Sequence, residues 1–173
     1  MATRPAPTGR EVSFGEDEMI VSKTDLQGRI TYCNDVFARV ARYSERRIIG
    51  APHSIIRHPH MPRALFKLLW GTIHAEREIF AYVLNMDSAG DGYWVLAHVT
   101  PSITEDGTVT GYHSNRRKPR AEAVEKVRGL YQQLLAIEEA PASRKDGLVA
   151  SSEALAARLA KEGMSYDRFV LSL

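Results

Sequence analysis

Between residues 78 and 117, three β-prone segments follow one another across two short glycine turns. Residues 78–86 (EIFAYVLNM), 93–101 (YWVLAHVTP) and 108–117 (TVTGYHSNRR) carry the β-branched and aromatic residues that favour strands. Between them lie DSAGDG and a turn centred on Glu105-Asp106-Gly107. Connections this short cannot cross over a sheet, so the three strands must pair antiparallel as successive hairpins. In the first of them Ile79, Ala81, Val83 and Asn85 share one face. A polar amide on that apolar face needs a hydrogen-bond partner, which either a ligand or a loop backbone could supply.

The chain before this meander reads as strand, strand, short helices and one longer helix. Residues 18–24 and 29–33 are strand-like and flank the turn Asp25-Leu26-Gln27-Gly28. Asn34-Asp35 is an N-cap signal, followed by Val36, Phe37, Val40 and Ala41 at helical spacing. Tyr43-Ser44 begins a second short turn of helix that Gly50 ends. A longer helix then has Leu65, Leu69 and Ile73 on one stripe, with Phe66 and Trp70 beside it. After Pro119, Val124, Val127, Tyr131, Leu134 and Ile137 recur at three- and four-residue spacing, which predicts an amphipathic helix of about 20 residues and roughly 30 Å. Residues 140–147 read as a linker, residues 148–162 hold a second helix, and Ser165 caps a final short one. The expected division is 1–17, a flexible tail or cap; 18–118, the sheet domain; and 119–173, a helical C-terminal extension.

Composition narrows the class of function. With 173 residues there is enough chain for one core plus an appendage. A net charge of +2 is too small to argue for nucleic acid or a membrane surface. Arg116, Arg117, Lys118 and Arg120 form the densest basic run, without interleaved aromatics, and read as a solvated junction. No segment approaches the ~20 apolar residues that span a bilayer, and the N-terminus has no apolar run of a signal peptide. Cys33 is the only cysteine. A reducing, cytoplasmic setting is the simplest expectation. There is no nucleophile elbow, P-loop, paired-carboxylate signature or HExxH, so no enzymatic activity is expected.

The segment Ile56-Arg57-His58-Pro59-His60-Met61-Pro62 places cationic and titratable side chains around two prolines just before the longer helix. Arg57 and His58 allow two readings. They form a cationic edge for a phosphate or a polar ring edge, or they brace a loop and cap the next helix. His53, His58 and His60 lack metal-ligand spacing, and haem ligation through one histidine is a minor alternative. Asn34 caps a helix in the simplest reading. Trp70, Tyr93 and Trp94 either stack on a ligand ring or belong to the core, with core as the default.

The order of elements, ending in a helical tail, resembles the PAS sensor fold. A narrower set of motifs looks like the PAS domain of the bacterial aerotaxis receptor family. It comprises Ser22-Lys23-Thr24-Asp25-Leu26-Gln27, Tyr32-Cys33-Asn34-Asp35 with Phe37, Gly50-Ala51-Pro52-His53, Arg57-His58-Pro59 with Met61-Pro62, Phe66, Trp70, Asn85, Asp91-Gly92-Tyr93-Trp94-Val95 and Gly111-Tyr112. The likeness runs over roughly residues 19–117. It implies an α+β fold, a five-stranded antiparallel sheet with helices on one face, plus the C-terminal helical extension. It also implies FAD in the PAS pocket and a report of redox state to a chemotaxis partner. Positions tied to flavin in that family match Asn34, Arg57, His58 and Asn85. His60, Phe66, Trp70 and Tyr93 complete the expected site. The chain departs from the family at two places. His60 stands where the motif RHPDMP has an acid, and Ile79 where a tryptophan is usual. Changing His60 to Asp is therefore expected to raise flavin occupancy.

Two functions stay open at this point. One is a cytosolic FAD-binding redox sensor that signals to a histidine kinase or chemoreceptor. The other is a cofactor-free module whose sheet and amphipathic tail dimerise or dock on such a partner, with Val127, Tyr131 and Leu134 in the contact.

Overall fold

The computed structural model describes residues 5–173. The first four residues of the expected 1–17 tail lie outside the described residues. The elements run β1 (Ile20–Thr24), β2 (Ile30–Cys33), α1 (Asp35–Ala41), α2 (Glu45–Ile48), a 3-10 turn (His53–Ile56), α3 (Arg63–His74), β3 (Ile79–Met86), β4 (Gly92–Ile103), β5 (Val109–Arg117), α4 (Ala121–Glu139), α5 (Arg144–Lys161) and α6 (Tyr166–Leu171). The five strands form one antiparallel sheet in the order β2-β1-β5-β4-β3. The meander is as the short turns require, with Asn85 opposite Tyr93 and Val99 opposite Ser114. β5 then pairs with β1, bringing Ser22 opposite Ser114 and Thr24 opposite Tyr112. This α+β arrangement is the one expected, and the linker between α4 and α5 is shorter than residues 140–147, since α5 begins at Arg144.

Local chemistry places the helices. The Asn34 side chain accepts the Phe37 N–H at 3.0 Å and caps α1. Arg42 ends that helix in the left-handed region at φ 53°. No side chain within its own segment caps α3, because Pro62 stands at its N-cap. Glu138 reaches over from α4 and accepts the N–H groups of Arg63 (2.9 Å) and Ala64 (3.3 Å), with the Arg63 guanidinium 2.6 Å away. A carboxylate at a helix N-terminus meets both the orphan donors and the positive end of the helix dipole.

Helix α4 covers the face of the sheet that α1 and α3 leave bare. On β4, Ala97 and Val99 point toward α3, so Trp94 points the other way. Tyr131 of α4 lies over that second face. Its ring is 6.0 Å from Trp94, and its hydroxyl donates to the Tyr82 carbonyl at 2.6 Å and pairs with the Tyr166 hydroxyl at 2.9 Å. Val127, Tyr131 and Leu134 are 1%, 3% and 2% exposed. The stripe expected to meet a partner is therefore buried within this chain, where each such side chain contributes roughly 1.5–3 kcal/mol relative to exposure. α5 packs closely on α4: a Cβ on Gly147 would fall 2.0 Å from the Glu138 carbonyl oxygen.

β3 is an edge strand, and its open backbone groups are met at both ends. At one end Arg57 bridges Asn85, the His58 N–H donates to the Leu84 carbonyl (3.4 Å), and the Leu84 N–H donates to Met61 Sδ (3.2 Å). At the other end the Phe80 N–H donates to Asp167 of α6 at 3.0 Å. The proline-bound segment is thus a splint along a sheet edge, which protects that edge from pairing with another chain. Residues 8–14 also dock. Thr8 and Val12 donate to the carbonyls of Gly90 and Gly92, Phe14 is buried, and Glu11 pairs with Arg128 at 2.6 Å.

Candidate ligand-binding site

A cavity of about 290 Å³ lies between the sheet and α3. Its floor is the inward face of the sheet. Ser22 and Thr24 come from β1, Val83 and Asn85 from β3, Ala97 and Val99 from β4, and Tyr112, Ser114 and Arg116 from β5. The period-two alternation of strands puts these residues on one face. From Tyr112 to Arg116 the floor extends about 13 Å, at about 3.3 Å per residue. Its roof is Phe66, Leu69, Trp70 and Ile73, one stripe of α3. The exposed lining residues Gln27, Pro52 and Ser54 mark its mouth. Gly28 sits against the indole of Trp70 at φ 73°, where a Cβ would be only 2.9 Å from the ring. Trp70 in turn meets Tyr112 edge-on at 5.6 Å.

The walls are mostly apolar, and the polar atoms are few and specific. Asn85 is 4% exposed and its Nδ2 has no hydrogen-bond partner among the described residues. The same holds for Ser114 Oγ and Arg116 Nη1. Arg116 is itself 4% exposed. Its Nη2 donates to Ser22 Oγ at 3.0 Å and to His53 Nε2 at 2.5 Å. To accept that bond His53 must be neutral, with its proton on Nδ1. Burial, then the neighbouring Arg116 charge, holds His53 far below the usual histidine range. Burial lowers Arg116 to about 10, which leaves it protonated at neutral pH. Arg57 also lines the cavity, with its guanidinium 3.8 Å above the Phe66 ring centroid.

Of the residues expected from sequence, Arg57, Phe66, Trp70 and Asn85 come together on the cavity. Four others do not line it. Asn34 spends its side chain on structure, accepting from Phe37 and Val21 and donating to the Met19 carbonyl. His58 is buried under the splint, where its Nδ1 accepts the His60 N–H at 3.1 Å. His60 is exposed outside the cavity, so an acid there has no cavity contact through which to raise occupancy. Tyr93 is buried at 1% in the core, which pushes its phenol far above the usual range. Ile79 is buried at 1% and also lies off the cavity lining, so both departures from the family motif fall outside it. The three histidines separate, since His53 turns to Arg116 while His58 and His60 pair edge-on at 4.9 Å.

Sequence reasoning missed Ser22, His53, Ser114 and Arg116. By sequence Arg116 belongs to the basic run that reads as solvated, yet only Arg117, Lys118 and Arg120 of that run are exposed. The signal was present in the alternation of the last strand, where Tyr112, Ser114 and Arg116 share the inward face.

Comparison with known proteins gives a consistent answer. Residues 19–114 match the family model described as PAS fold. The chain is 36% identical over 134 residues to the aerotaxis receptor of Escherichia coli (strain K12), covering 78% of this chain and 26% of the receptor. It is 23% identical over 87 residues to the blue-light-activated histidine kinase of Brucella anthropi, covering 50% of this chain and 18% of the kinase. The chain therefore spans well under a third of either relative's length. Among solved structures, a light-oxygen-voltage domain studied with a flavin analogue superposes with a TM-score of 0.57 at 13% identity, over 66% of this chain and 86% of that one. No helix among the described residues is long and apolar enough to cross a membrane. The matched span runs from β1 into β5 and includes the helices over the cavity, and the chain belongs to the PAS fold family.

Proposed function

We propose that this chain is a sensory domain, not an enzyme, that holds the flavin ring of FAD in the cavity and passes the ring's redox state to a histidine kinase or chemoreceptor. The observation that carries this reading is the set of unpartnered polar groups, Asn85 Nδ2, Ser114 Oγ and Arg116 Nη1, on side chains that line a mostly apolar cavity. A buried donor without a partner costs about 1–3 kcal/mol, so a ligand with acceptors at those places relieves a standing penalty. A flavin ring is flat and apolar over its faces and carries carbonyl and ring-nitrogen acceptors along one edge. It therefore matches aromatic and aliphatic walls with a donor edge. The volume sits at the low end of the ~300–1,000 Å³ usual for ligand pockets. That suits a ring system rather than a whole dinucleotide, the remainder of which would leave through the mouth beside Gln27, Pro52 and Ser54.

When bound, the ring supplies a centre with two redox states. This chain's residues hold and shield it. Phe66, Leu69 and Ile73 from α3 and Val83, Ala97 and Val99 from the sheet would hold the ring between them, and Asn85 would supply a donor for an acceptor on it. Asn85 also lies in β3 where Arg57 bridges to it, so a change in that hydrogen bond reaches the splint 57–62 and then α3. Glu138 links the start of α3 to α4, which gives the C-terminal helices a direct mechanical connection to the cavity roof. The names of the relatives support a signalling role: an aerotaxis receptor and a blue-light-activated histidine kinase. The superposed light-oxygen-voltage domain, studied with a flavin analogue, is in keeping with a flavin as the ligand.

Titration of the protein with FAD, followed by quenching of flavin fluorescence, tests the reading. Saturable binding is expected. Asn85→Leu is expected to weaken it at least about tenfold, equivalent to about 1.4 kcal/mol, while leaving the protein folded. Absence of binding by the wild type, or equal binding by the leucine variant, would count against the assignment.

A further inference from the structure

Arg116 is a buried cation without a counter-charge. No ion pair involves it among the described residues, and no carboxylate lines the cavity. Its surroundings are neutral: Ser22, His53, the Phe37 ring at 5.6 Å and the protonated phenol of Tyr93. An isolated charge in such a place is costly, because its lost hydration is not returned by an opposite charge. Yet its orientation is fixed. Two hydrogen bonds hold Nη2, and the unpartnered Nη1 belongs to a cavity-lining side chain. The adjacent inward position on β5 is Ser114, also unpartnered, about 6.6 Å along the strand.

We propose that Arg116, oriented by Ser22 and a neutral His53, is the residue that sets which charge state of the ligand the cavity prefers, binding the negatively charged form of a flavin ring more tightly than the neutral form. This rests on the flavin reading above. The neutral oxidised ring that takes two electrons from an external reductant and one proton from water carries one negative charge. Arg116 is a lining cation that makes no ion pair among the described residues and whose Nη1 has no hydrogen-bond partner there, and low polarity strengthens its attraction for that charge. His53 contributes by staying neutral. A second cation at 2.5 Å would repel Arg116 and disturb its aim. His53 and Ser22 are thus positioning residues, and Arg116 is the group that meets the ligand.

The test measures dissociation constants for oxidised FAD and, under anaerobic conditions with excess dithionite, for reduced FAD. Wild type is expected to bind the reduced form at least about tenfold more tightly. Arg116→Gln is expected to bring the two constants to within about threefold of each other, and Arg116→Lys to retain a preference for the reduced form. Without FAD, Arg116→Gln should melt no lower than wild type, because it removes a lone buried charge. A wild-type ratio at or below one overturns the proposal, and that measurement needs no variant to fold. So does a glutamine variant with the wild-type ratio. Failure of the wild type to bind either form removes the flavin reading together with this one, whereas binding without preference removes this one alone.

Discussion

Removing the Glu138 carboxylate should loosen the joint between the cavity helix and the C-terminal helices. Glu138 is 6% exposed and comes from the end of α4, yet it satisfies two N–H groups at the start of α3 and pairs with the Arg63 guanidinium. Glu138→Ala leaves those donors without a partner in a buried place. Loss of a helix cap costs about 0.5–2 kcal/mol. Breaking a buried ion pair by deleting one partner costs about 3–5 kcal/mol. Arg63 is one-quarter exposed and regains some hydration, so about 3 kcal/mol is expected in all. For a chain of this length that is a fall in melting temperature of roughly 6–12 °C. Glu138→Gln keeps one acceptor but loses the charge and should cost about half as much. Urea unfolding followed by circular dichroism measures the difference, with an unchanged m-value showing that only stability moved. A double-mutant cycle with Arg63→Ala should give a coupling of at least about 1 kcal/mol. A loss within about 0.5 kcal/mol for Glu138→Ala would match an ordinary surface change and refute the joint.

Two further outcomes test other parts of the account. Tyr131→Phe deletes the hydroxyl that donates to the Tyr82 carbonyl and pairs with Tyr166, so it should lower stability by about 1–3 kcal/mol in the same unfolding assay. A neutral effect would mean that the hydroxyl does not anchor α4 to the sheet. His53 gives a signed pH dependence. The unfolded chain takes up a proton on this residue below about pH 6.5, while the folded chain resists until well below that value. Its contribution is therefore fully present above pH 6.5 and is lost as pH falls, at up to about 1.4 kcal/mol per pH unit. Stability measured at a series of pH values should show this slope in wild type and a shallower one in His53→Gln; equal slopes would place the titrating group elsewhere.

The sheet was legible in the chain because its evidence is local. Two short turns impose the meander, and alternation identifies Asn85 as a polar group on an inward face. The helix stripe of Leu65, Leu69 and Ile73 was equally plain, and it became the roof of the cavity together with Phe66 and Trp70. What stayed hidden depends on tertiary contacts. Arg116 looked like its exposed neighbours because charge clustering in sequence outweighed the strand period. Glu138 looked like one more solvated charge on an amphipathic helix, and only the packing of α4 brings it to Arg63. The segment 56–62 was conspicuous for its cations and prolines. Of its cations Arg57 faces the cavity, while His58 and the backbone of the segment close the edge of β3. The apolar stripe of the tail helix was readable, but the surface that it covers was not, since the same stripe could serve a second chain or the sheet of its own.

The visible spectrum of the purified protein bears most directly on the central claim that the cavity is a flavin site. The account predicts absorption bands of a bound flavin, lost from the protein on heating as free FAD appears in the supernatant. A colourless protein that also fails to take up added FAD would contradict it.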